Sequence, residues 1–221
     1  MNTTPDPLQP ELLYADEHLL VFNKPSGLLS VPGIGPDKQD CLRVRAQKDW
    51  PDALTVHRLD MSTSGLILMA RGAVMHKTMS MAFEKRQVHK RYVAVVMGEP
   101  HPEPDEKGWS CIDLPMRVDY QNRPYSIIDH DKGKPSLTHW QTIGPGPLPG
   151  TTRLLLEPFT GRTHQLRVHL AAIGHPILGD HLYAPPEGHA MASRLLLHAR
   201  DLAFVHPVTG EPLALSHLEP F

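Results

Sequence analysis

One carboxylate in the sequence is well placed to take part in a reaction. Asp60 is followed by small hydroxyl residues at positions 62–64 and then by Gly65. Hydroxyl side chains bond neighbouring backbone groups and glycine adopts conformations closed to other residues, so the segment predicts a tight polar turn. The apolar residues 66–70 behind it predict a strand covered on both faces. Such a turn can fix Asp60 for catalysis, although a carboxylate that only caps a turn has the same pattern.

Two basic segments, residues 85–91 and 162–169, are the other candidates for a function. Runs of charge like these most often form a solvated face of a protein. In the second segment, however, Arg162 and Arg167 flank hydrogen-bonding residues at a point where a loop is predicted to open a helix. A helix N-terminus with arginines beside it favours the binding of phosphate or carboxylate groups.

Other kinds of site lack their sequence signals. The 15 histidines include no His-Glu-x-x-His pattern, and Cys41 and Cys111 form neither a metal-binding pair nor a disulfide framework. The sequence also lacks a glycine-rich phosphate loop and a Gly-x-Ser-x-Gly nucleophile motif. We therefore expect no metal, no nucleotide cofactor and no serine nucleophile.

The composition is that of a globular protein long enough to bury a sizeable core. Of 221 residues, 40% are hydrophobic and 21% are charged. No apolar run approaches the roughly 18–20 residues of a membrane span, and residues 1–10 lack the features of a signal peptide. We therefore expect a cytoplasmic protein that does not enter a membrane. The net charge of −2 argues against a general nucleic-acid coat protein but allows a local basic face.

The elements that must position these residues are mostly short strands. Strands are predicted at residues 12–22 (two around a turn), 66–70, 92–97, 109–143 (several), 152–159, 195–199, 203–206 and 213–215. Helices are predicted at residues 41–48, 73–87 and 166–173, with a helical turn at 191–194, and residues 144–150 are predicted to form a loop. Because strands and helices do not alternate, we predict an α+β fold with a largely antiparallel or mixed sheet. Residues 1–10 are predicted to be a flexible tail and residues 11–221 a single catalytic domain.

The Asp60 segment also resembles a known signature. His57-Arg58-Leu59-Asp60-x-x-Thr63-Ser64-Gly65 resembles the signature of the RluA-type pseudouridine synthases. Further segments similar to that family occur in the same chain order: Asn23-Lys24-Pro25-x-Gly27, Lys90-Arg91-Tyr92-x-Ala94, Gly161-Arg162-Thr163-His164-Gln165-Leu166-Arg167-x-His169, His175-Pro176-Ile177-Leu178-Gly179-Asp180 with Tyr183, and Leu195-Leu196-Leu197-His198-Ala199. The resemblance covers nearly all of residues 12–215.

The resemblance implies a fold and a set of roles. The fold is the pseudouridine synthase fold, a long, mostly antiparallel mixed sheet with flanking helices and a central catalytic cleft. Asp60 matches the catalytic nucleophile, Tyr92 the aromatic residue that stacks on the target uracil, and Arg167 the arginine that pairs with the catalytic carboxylate. Arg58 matches a residue that fills the space left by the flipped base. The other residues expected to contact RNA are His57, Lys85, Arg86, Lys90, Arg91, Arg162 and His164, and those expected to line the pocket are Leu196 and Leu197.

The chemistry of pseudouridine formation agrees with a single carboxylate and no cofactor. The reaction breaks the N1–C1′ bond of uridine, turns the uracil and joins its C5 to C1′. Glycosidases ordinarily need a second carboxylate to protonate the leaving oxygen, whereas uracil can leave as a delocalised anion. A neighbouring arginine favours the charged form of a carboxylate, so Arg167 is expected to keep Asp60 ionised. The target base must be flipped out of its stack, which favours RNA loops as substrates.

The sequence allows more than one RNA substrate and two rival functions. The N-terminal motif is most similar to a family member that modifies uridine 32 in the tRNA anticodon stem-loop and uridine 746 in 23S ribosomal RNA. The same chemistry at another tRNA or rRNA position is the alternative. A catalytically silent RNA-binding module and a nucleoside glycosidase or lyase are the rival functions. We expect a monomer without a separate N-terminal RNA-binding domain.

Overall fold

The computed structural model describes residues 6–221 of the chain. Its strands are β1 (Glu11–Ala15), β2 (Leu19–Lys24), β3 (Ala53–Thr55), β4 (Ser64–Arg71), β5 (His89–Met97), β6 (Ser110–Asp113), β7 (Met116–Val118), β8 (Ser126–Ile128), β9 (Leu137–Pro145), β10 (Thr151–Pro158), β11 (Leu197–Val205) and β12 (Pro212–Ser216). Its α-helices are α1 (Leu42–Ala46), α2 (Gly72–Glu84), α3 (Gln165–Ala172) and α4 (Pro186–Ala190). A short 3-10 helix covers Pro36–Lys38.

The chain forms two compact units. The first comprises Met1–His89 and His198–Glu219, and the second comprises Lys90–Leu197 and Pro220–Phe221. This division was not predicted, because the composition of the sequence does not change where the chain passes from one unit to the other. The expectation of a single catalytic domain over residues 11–221 stays a prediction.

The first unit is built around β4, the strand behind Asp60. Strand β4 pairs antiparallel with β2 on one edge, while β11 pairs parallel with its start and β3 antiparallel with its end. Strand β1 extends the sheet beyond β2, and β12 extends it beyond β11. Residues 64–70 of β4 are all buried, which confirms the prediction of a strand covered on both faces. Helix α2 packs its methionines Met75 and Met79 into the core of this unit.

The second unit contains an antiparallel sheet in the order β5-β10-β9-β6. Strands β7 and β8 form a separate two-stranded hairpin. The buried face of α3 contributes Leu166 and Leu170 to the core of this unit, as the helical spacing predicts. The α+β class with a mixed, mostly antiparallel sheet is confirmed, because β4–β11 is the one parallel pairing among the described strand pairs.

Three local predictions differ from the structure. Strand β9 runs through Gly144 and Pro145, which pair with β10 across a register shift, so the predicted loop is shorter. The helical turn predicted at 191–194 is wrong, because α4 lies at Pro186–Ala190. The two strands predicted at 195–199 and 203–206 form one strand, β11, in which Arg200 and Asp201 pair with each other without ending the strand.

The predicted tail at residues 1–10 is described in part. Residues 1–5 lie outside the described residues. Beyond them, the Arg45 guanidinium donates to the Asp6 carboxylate at 2.7 Å and to the Leu8 carbonyl at 2.8 Å. These bonds hold the last part of this segment against α1.

Candidate active site

Asp60 lies in a turn of the first unit, directly before β4. The Thr63 N–H donates to the Asp60 carbonyl at 3.1 Å, and Asp60 itself is half-buried. Strand β4 then begins at Ser64. The predicted polar turn in front of a buried strand is thus confirmed, and it gives the carboxylate a fixed backbone.

A buried lysine holds the residues that follow Asp60. Lys24 has 0% exposure, and its Nζ donates to the carbonyls of Pro25, Leu28 and Met61 at 2.8, 2.7 and 3.1 Å. A buried ammonium group is stable only where polar groups replace its water shell, and these carbonyls do so. The Ser26 hydroxyl adds a bond of 2.7 Å to the Ser62 carbonyl. The motif at residues 23–27 therefore supports the Asp60 turn, a role that was not predicted for it.

The residues on either side of the turn are fixed as well. The Ser30 hydroxyl donates to the Leu59 carbonyl at 2.7 Å and accepts from the Leu59 N–H at 3.1 Å. Gly65 has a φ of +109°, and a Cβ at this position would lie 2.3 Å from the Ala199 carbonyl oxygen. Only glycine fits a positive φ and so close an approach of β11. The signature glycine after Asp60 is therefore required by packing.

The two residues predicted to contact RNA just before Asp60 differ in their surroundings. Arg58 is exposed. The His57 ring accepts a bond of 2.9 Å from the Leu68 N–H at Nε2 and stacks on Phe83 at 4.5 Å between centroids. These contacts anchor the segment to β4 and α2, and RNA contact by His57 stays a prediction.

In the second unit, Arg167 forms a buried ion pair with Asp180. Arg167 is 2% exposed and Asp180 is 0% exposed. The Arg167 Nε and Nη2 atoms donate to the two carboxylate oxygens at 2.8 and 2.6 Å, a bidentate geometry. Asp180 was not predicted as a partner, and the predicted pairing of Arg167 with Asp60 stays a prediction. The bidentate pair fixes the guanidinium of Arg167 in one orientation.

Tyr183 packs beside this ion pair and links it to other elements. The Arg167 guanidinium carbon lies 5.1 Å from the centre of the Tyr183 ring, within the range of a cation–π contact. The Tyr183 hydroxyl is 2.7 Å from His164 Nδ1 and accepts from the Ser126 N–H at 2.9 Å. His164 and Arg167, both predicted site residues, are therefore brought together through Tyr183, for which no role was predicted.

The start of α3 has an unusual backbone conformation. His164 has a φ of +57°, in the left-handed region that residues other than glycine rarely occupy. Gln165, buried behind it, accepts from the Arg162 N–H at 3.0 Å and donates to the Leu137 carbonyl at 3.0 Å. Residues with a sparsely populated backbone conformation, such as His164, cluster at functional sites and persist because the surrounding structure holds them. The geometry presents Arg162 at the surface, where its side chain is exposed.

The remaining predicted residues of the second unit lie on β5 or in the core. Tyr92 is half-buried and packs against the core of the unit, to which Leu196 and Leu197 belong. Burial lowers the pKa of Lys90. Arg91 is exposed, donates to Glu157 at 3.1 Å and lies 5.7 Å from the Trp109 ring.

Lys85 and Arg86 lie where α2 ends in the first unit. Both residues are exposed, and Arg86 has a φ of +59°. The segment therefore turns sharply at Arg86 before β5, with two basic side chains at the surface.

The described residues, 6–221, show no group of three or more His, Cys, Asp or Glu side chains that could hold a metal ion. Cys41 and Cys111 are free cysteines. Among the helices in the described part of the chain, none is both long and apolar enough to cross a membrane.

Comparison with known proteins decides the family. A family model described as RNA pseudouridylate synthase matches residues 18–172. The chain is 46% identical over 202 residues to the dual-specificity RNA pseudouridine synthase RluA of Escherichia coli strain K12, covering 91% of this chain and 90% of the relative. The protein of the same description from Yersinia pestis is 48% identical, with 91% and 95% covered. The chain belongs to the RluA-type family of RNA pseudouridine synthases.

The fold of this RluA-type enzyme agrees with the family. Human RNA Pseudouridylate Synthase Domain Containing 1 superposes with a TM-score of 0.78 and 28% sequence identity, covering 99% of this chain and 87% of that chain. The chain is accordingly an isomerase that converts uridine to pseudouridine in RNA. The family and the enzyme class predicted from the sequence are confirmed.

The residues that support Asp60 and Arg167 in this RluA-type enzyme were not predicted from the sequence. Lys24, Asp180 and Tyr183 each lie in a segment that resembles the family, but no role was predicted for them. A lysine or an aspartate next to an apolar stretch indicates a buried charge, and a buried charge is rarely found without a partner. This signal could have indicated that Lys24 and Asp180 have structural roles. Asp180, for example, closely follows Ile177 and Leu178.

The Asp180–Arg167 pair predicts a pH dependence of stability. Burial raises the pKa of Asp180, but the hydrogen bonds and positive charge of Arg167 and the backbone N–H groups of Leu182 and Tyr183 together outweigh it and leave the pKa below the ordinary 3.8. A depressed pKa contributes stability that is present above about pH 3.8 and is lost as the pH falls through the folded-state value. We expect the unfolding free energies of wild type and Asp180→Asn to converge as the pH is lowered below about 3.8 in urea titrations. A difference that stays constant down to acid unfolding would contradict the assignment.

Proposed function

We propose that Asp60 is the catalytic carboxylate of this enzyme, that Tyr92 stacks on the target uracil and that Arg167 keeps Asp60 charged. The rigid turn around Asp60 supports the first role, because the bonds from Lys24 and Ser30 fix the backbone on both sides of it. Positioning of this kind supplies much of the rate enhancement of an enzyme.

The proposed reaction needs no atom from outside the substrate apart from a proton exchanged with water. The Asp60 carboxylate acts as the nucleophile and forms a bond to the flipped nucleotide, the N1–C1′ bond breaks and the uracil leaves as a delocalised anion. The uracil turns, C5 bonds to C1′ and the bond to Asp60 breaks, which frees the carboxylate. The proton on C5 is then lost and N1 gains a proton. A second carboxylate is unnecessary, in contrast to glycosidases, because the leaving group requires no protonation.

The bidentate ion pair with Asp180 supports the role of Arg167. A guanidinium that is buried and held in one orientation can stabilise a carboxylate without the entropy cost of ordering a mobile side chain. Tyr92 lies on β5 in the same unit and is half-buried, so part of its ring is available to a base. Leu196 and Leu197 would line the apolar part of the pocket.

RNA binding is proposed to rest on exposed basic side chains and on base flipping. Lys85, Arg86, Arg91 and Arg162 are exposed, as phosphate-contacting residues must be. Lys90, His57 and His164 are more enclosed, and we assign them contacts close to the flipped nucleotide. Arg58 would fill the space that the target base leaves, since it is exposed next to the Asp60 turn.

We further propose that the substrates are the tRNA anticodon stem-loop, at uridine 32, and 23S ribosomal RNA, at uridine 746. The observation that carries this proposal is the identity of 46–48% to relatives described as dual-specificity enzymes, over nine-tenths of each chain. Since these RNAs lie in the cytoplasm, we place the reaction there. We also propose that the enzyme acts as a monomer, for which light scattering would give the mass.

Mapping pseudouridine in cells that lack this protein tests the substrates. We expect pseudouridine to disappear at both positions and to return when the wild-type protein, but not Asp60→Ala, is expressed. Loss at only one of the two positions would reduce the proposal to a single substrate class. Loss at other positions, with both of these intact, would contradict the target assignment while leaving the enzyme class unchanged.

A further inference from the structure

The tip of the β7–β8 hairpin presents an aromatic ring to solvent. Tyr120 is 70% exposed, although an aromatic ring of this size gains hydrophobic free energy when it is buried. The Arg123 guanidinium carbon lies 5.0 Å from the centre of the Tyr120 ring. An exposed ring with an arginine on it is the combination that proteins use to bind unpaired nucleotides.

The tip is held in a defined shape by its own hydrogen bonds. The Asp119 carboxylate accepts from the Gln121 N–H at 3.2 Å and from the Asn122 side chain at 2.9 Å. The Asp119 N–H donates to the Tyr125 carbonyl, and the Tyr125 N–H donates to the Asn122 carbonyl, at 2.9 and 3.0 Å. A ring presented on an ordered turn loses little entropy when it binds a ligand.

The base of the hairpin is fastened to the Arg167 cluster of the same unit, which consists of Arg167, Asp180 and Tyr183. The Ser126 N–H donates to the Tyr183 hydroxyl at 2.9 Å, and the Tyr125 ring contacts the Tyr183 ring edge to face at 5.8 Å. Tyr183 in turn packs on the Arg167 guanidinium. The tip therefore has a fixed position relative to the Arg167 cluster, and Tyr120 is presented from a rigid part of this unit.

We propose that Tyr120 and Arg123 form an RNA contact outside the pocket for the target uridine. Tyr120 stacks one face of its ring on an unpaired base, while the Arg123 guanidinium covers the other face and pairs with the neighbouring phosphate. The ligand class is a single-stranded or loop segment of the substrate RNA, because bases inside a helix offer no free face. The inference rests on the RNA substrate that the family gives and on none of the proposed catalytic roles.

Kinetics with single substitutions test this contact. The substrate is a transcript of the anticodon stem-loop or of the 23S stem-loop, whichever the wild-type enzyme turns over, with tritium at C5 of its uridines. We expect Tyr120→Ala to raise KM roughly fivefold to a hundredfold with kcat unchanged, as the loss of one stacked base does. Tyr120→Phe should keep the wild-type KM. Arg123→Ala should also raise KM and reduce the salt dependence of binding by about one phosphate contact.

Control variants separate this contact from general effects of charge or folding. Lys107→Ala removes an exposed positive charge elsewhere in the same unit and should leave KM within about twofold of the wild-type value. Tyr120→Trp keeps a large ring, and the fluorescence that it adds to that of the wild-type protein should be quenched when the transcript binds. An unchanged KM in Tyr120→Ala, a loss confined to kcat, or no quenching of the added fluorescence in the bound Tyr120→Trp variant would overturn the proposal.

Discussion

Asp180→Ala is expected to destabilise the protein by about 3–5 kcal/mol, because it leaves a buried guanidinium without its carboxylate. Arg167 is 2% exposed and cannot regain water without opening the second unit. The effect should appear in urea unfolding followed by tryptophan fluorescence, since Trp109 and Trp140 lie in this unit. Glu157→Ala breaks the exposed Arg91–Glu157 pair and serves as the control, with an expected cost below about 1 kcal/mol.

A double variant separates the structural role of the pair from the proposed catalytic role of Arg167. Arg167→Met combined with Asp180→Leu replaces the ion pair by apolar groups and should be more stable than either single variant. We expect the double variant to bind RNA but to form pseudouridine at least a hundredfold more slowly, because the proposed partner of Asp60 is gone. Full activity of this variant would assign Arg167 to the fold alone. A cost below about 1 kcal/mol for Asp180→Ala would contradict the burial argument.

Asp60→Ala should reduce pseudouridine formation by at least about a thousandfold, because removing a nucleophile from an enzyme has effects of this size or larger. The dissociation constant for the stem-loop transcript that the wild-type enzyme turns over should change by less than about threefold, since the basic side chains proposed to hold the RNA remain. Single-turnover tritium release and fluorescence anisotropy measure the two quantities.

Asp49→Ala is the matched control for this variant. Asp49 is an exposed aspartate of the same unit and lies outside the Asp60 turn, so its loss should leave both rate and affinity unchanged. Asp60→Asn keeps the shape of the side chain and should be as inactive as Asp60→Ala. Substantial turnover by Asp60→Asn would show that the negative charge is not required, in conflict with the proposed mechanism.

The local features of the fold follow from the sequence, because local interactions determine them. The turn at Asp60 and strand β4 were predicted from hydroxyl residues, a glycine and an apolar run. Helix α3 follows from the spacing of Leu166 and Leu170. The sequence also contains a signal for α4, since a proline at the first helical position, Pro186, favours a helix start. The helical turn predicted at residues 191–194 lies just after this helix.

The contacts that support Asp60 and those that support Arg167 depend on tertiary structure and could not be predicted from the sequence. Arg167 and Asp180 are 13 residues apart, and their pairing arises only when α3 packs beside the segment that follows it. Lys24 reaches Met61 across 37 residues, and no local pattern encodes that contact. The resemblance to the family identified both segments but not the residues that they contact. The division into two units is not accompanied by a change in composition, so it could not be predicted either.

We expect this chain alone, without a cofactor, to turn uridine into pseudouridine in RNA. To test this, the purified protein is incubated in the presence of a chelator with C5-tritiated transcripts of both proposed stem-loops. Tritium release is measured, and the nucleosides of the RNA are then analysed. We predict one pseudouridine for each tritium released and no free uracil. Binding without tritium release would indicate a silent RNA-binding module, and free uracil without pseudouridine would indicate a glycosidase; either result would contradict the account.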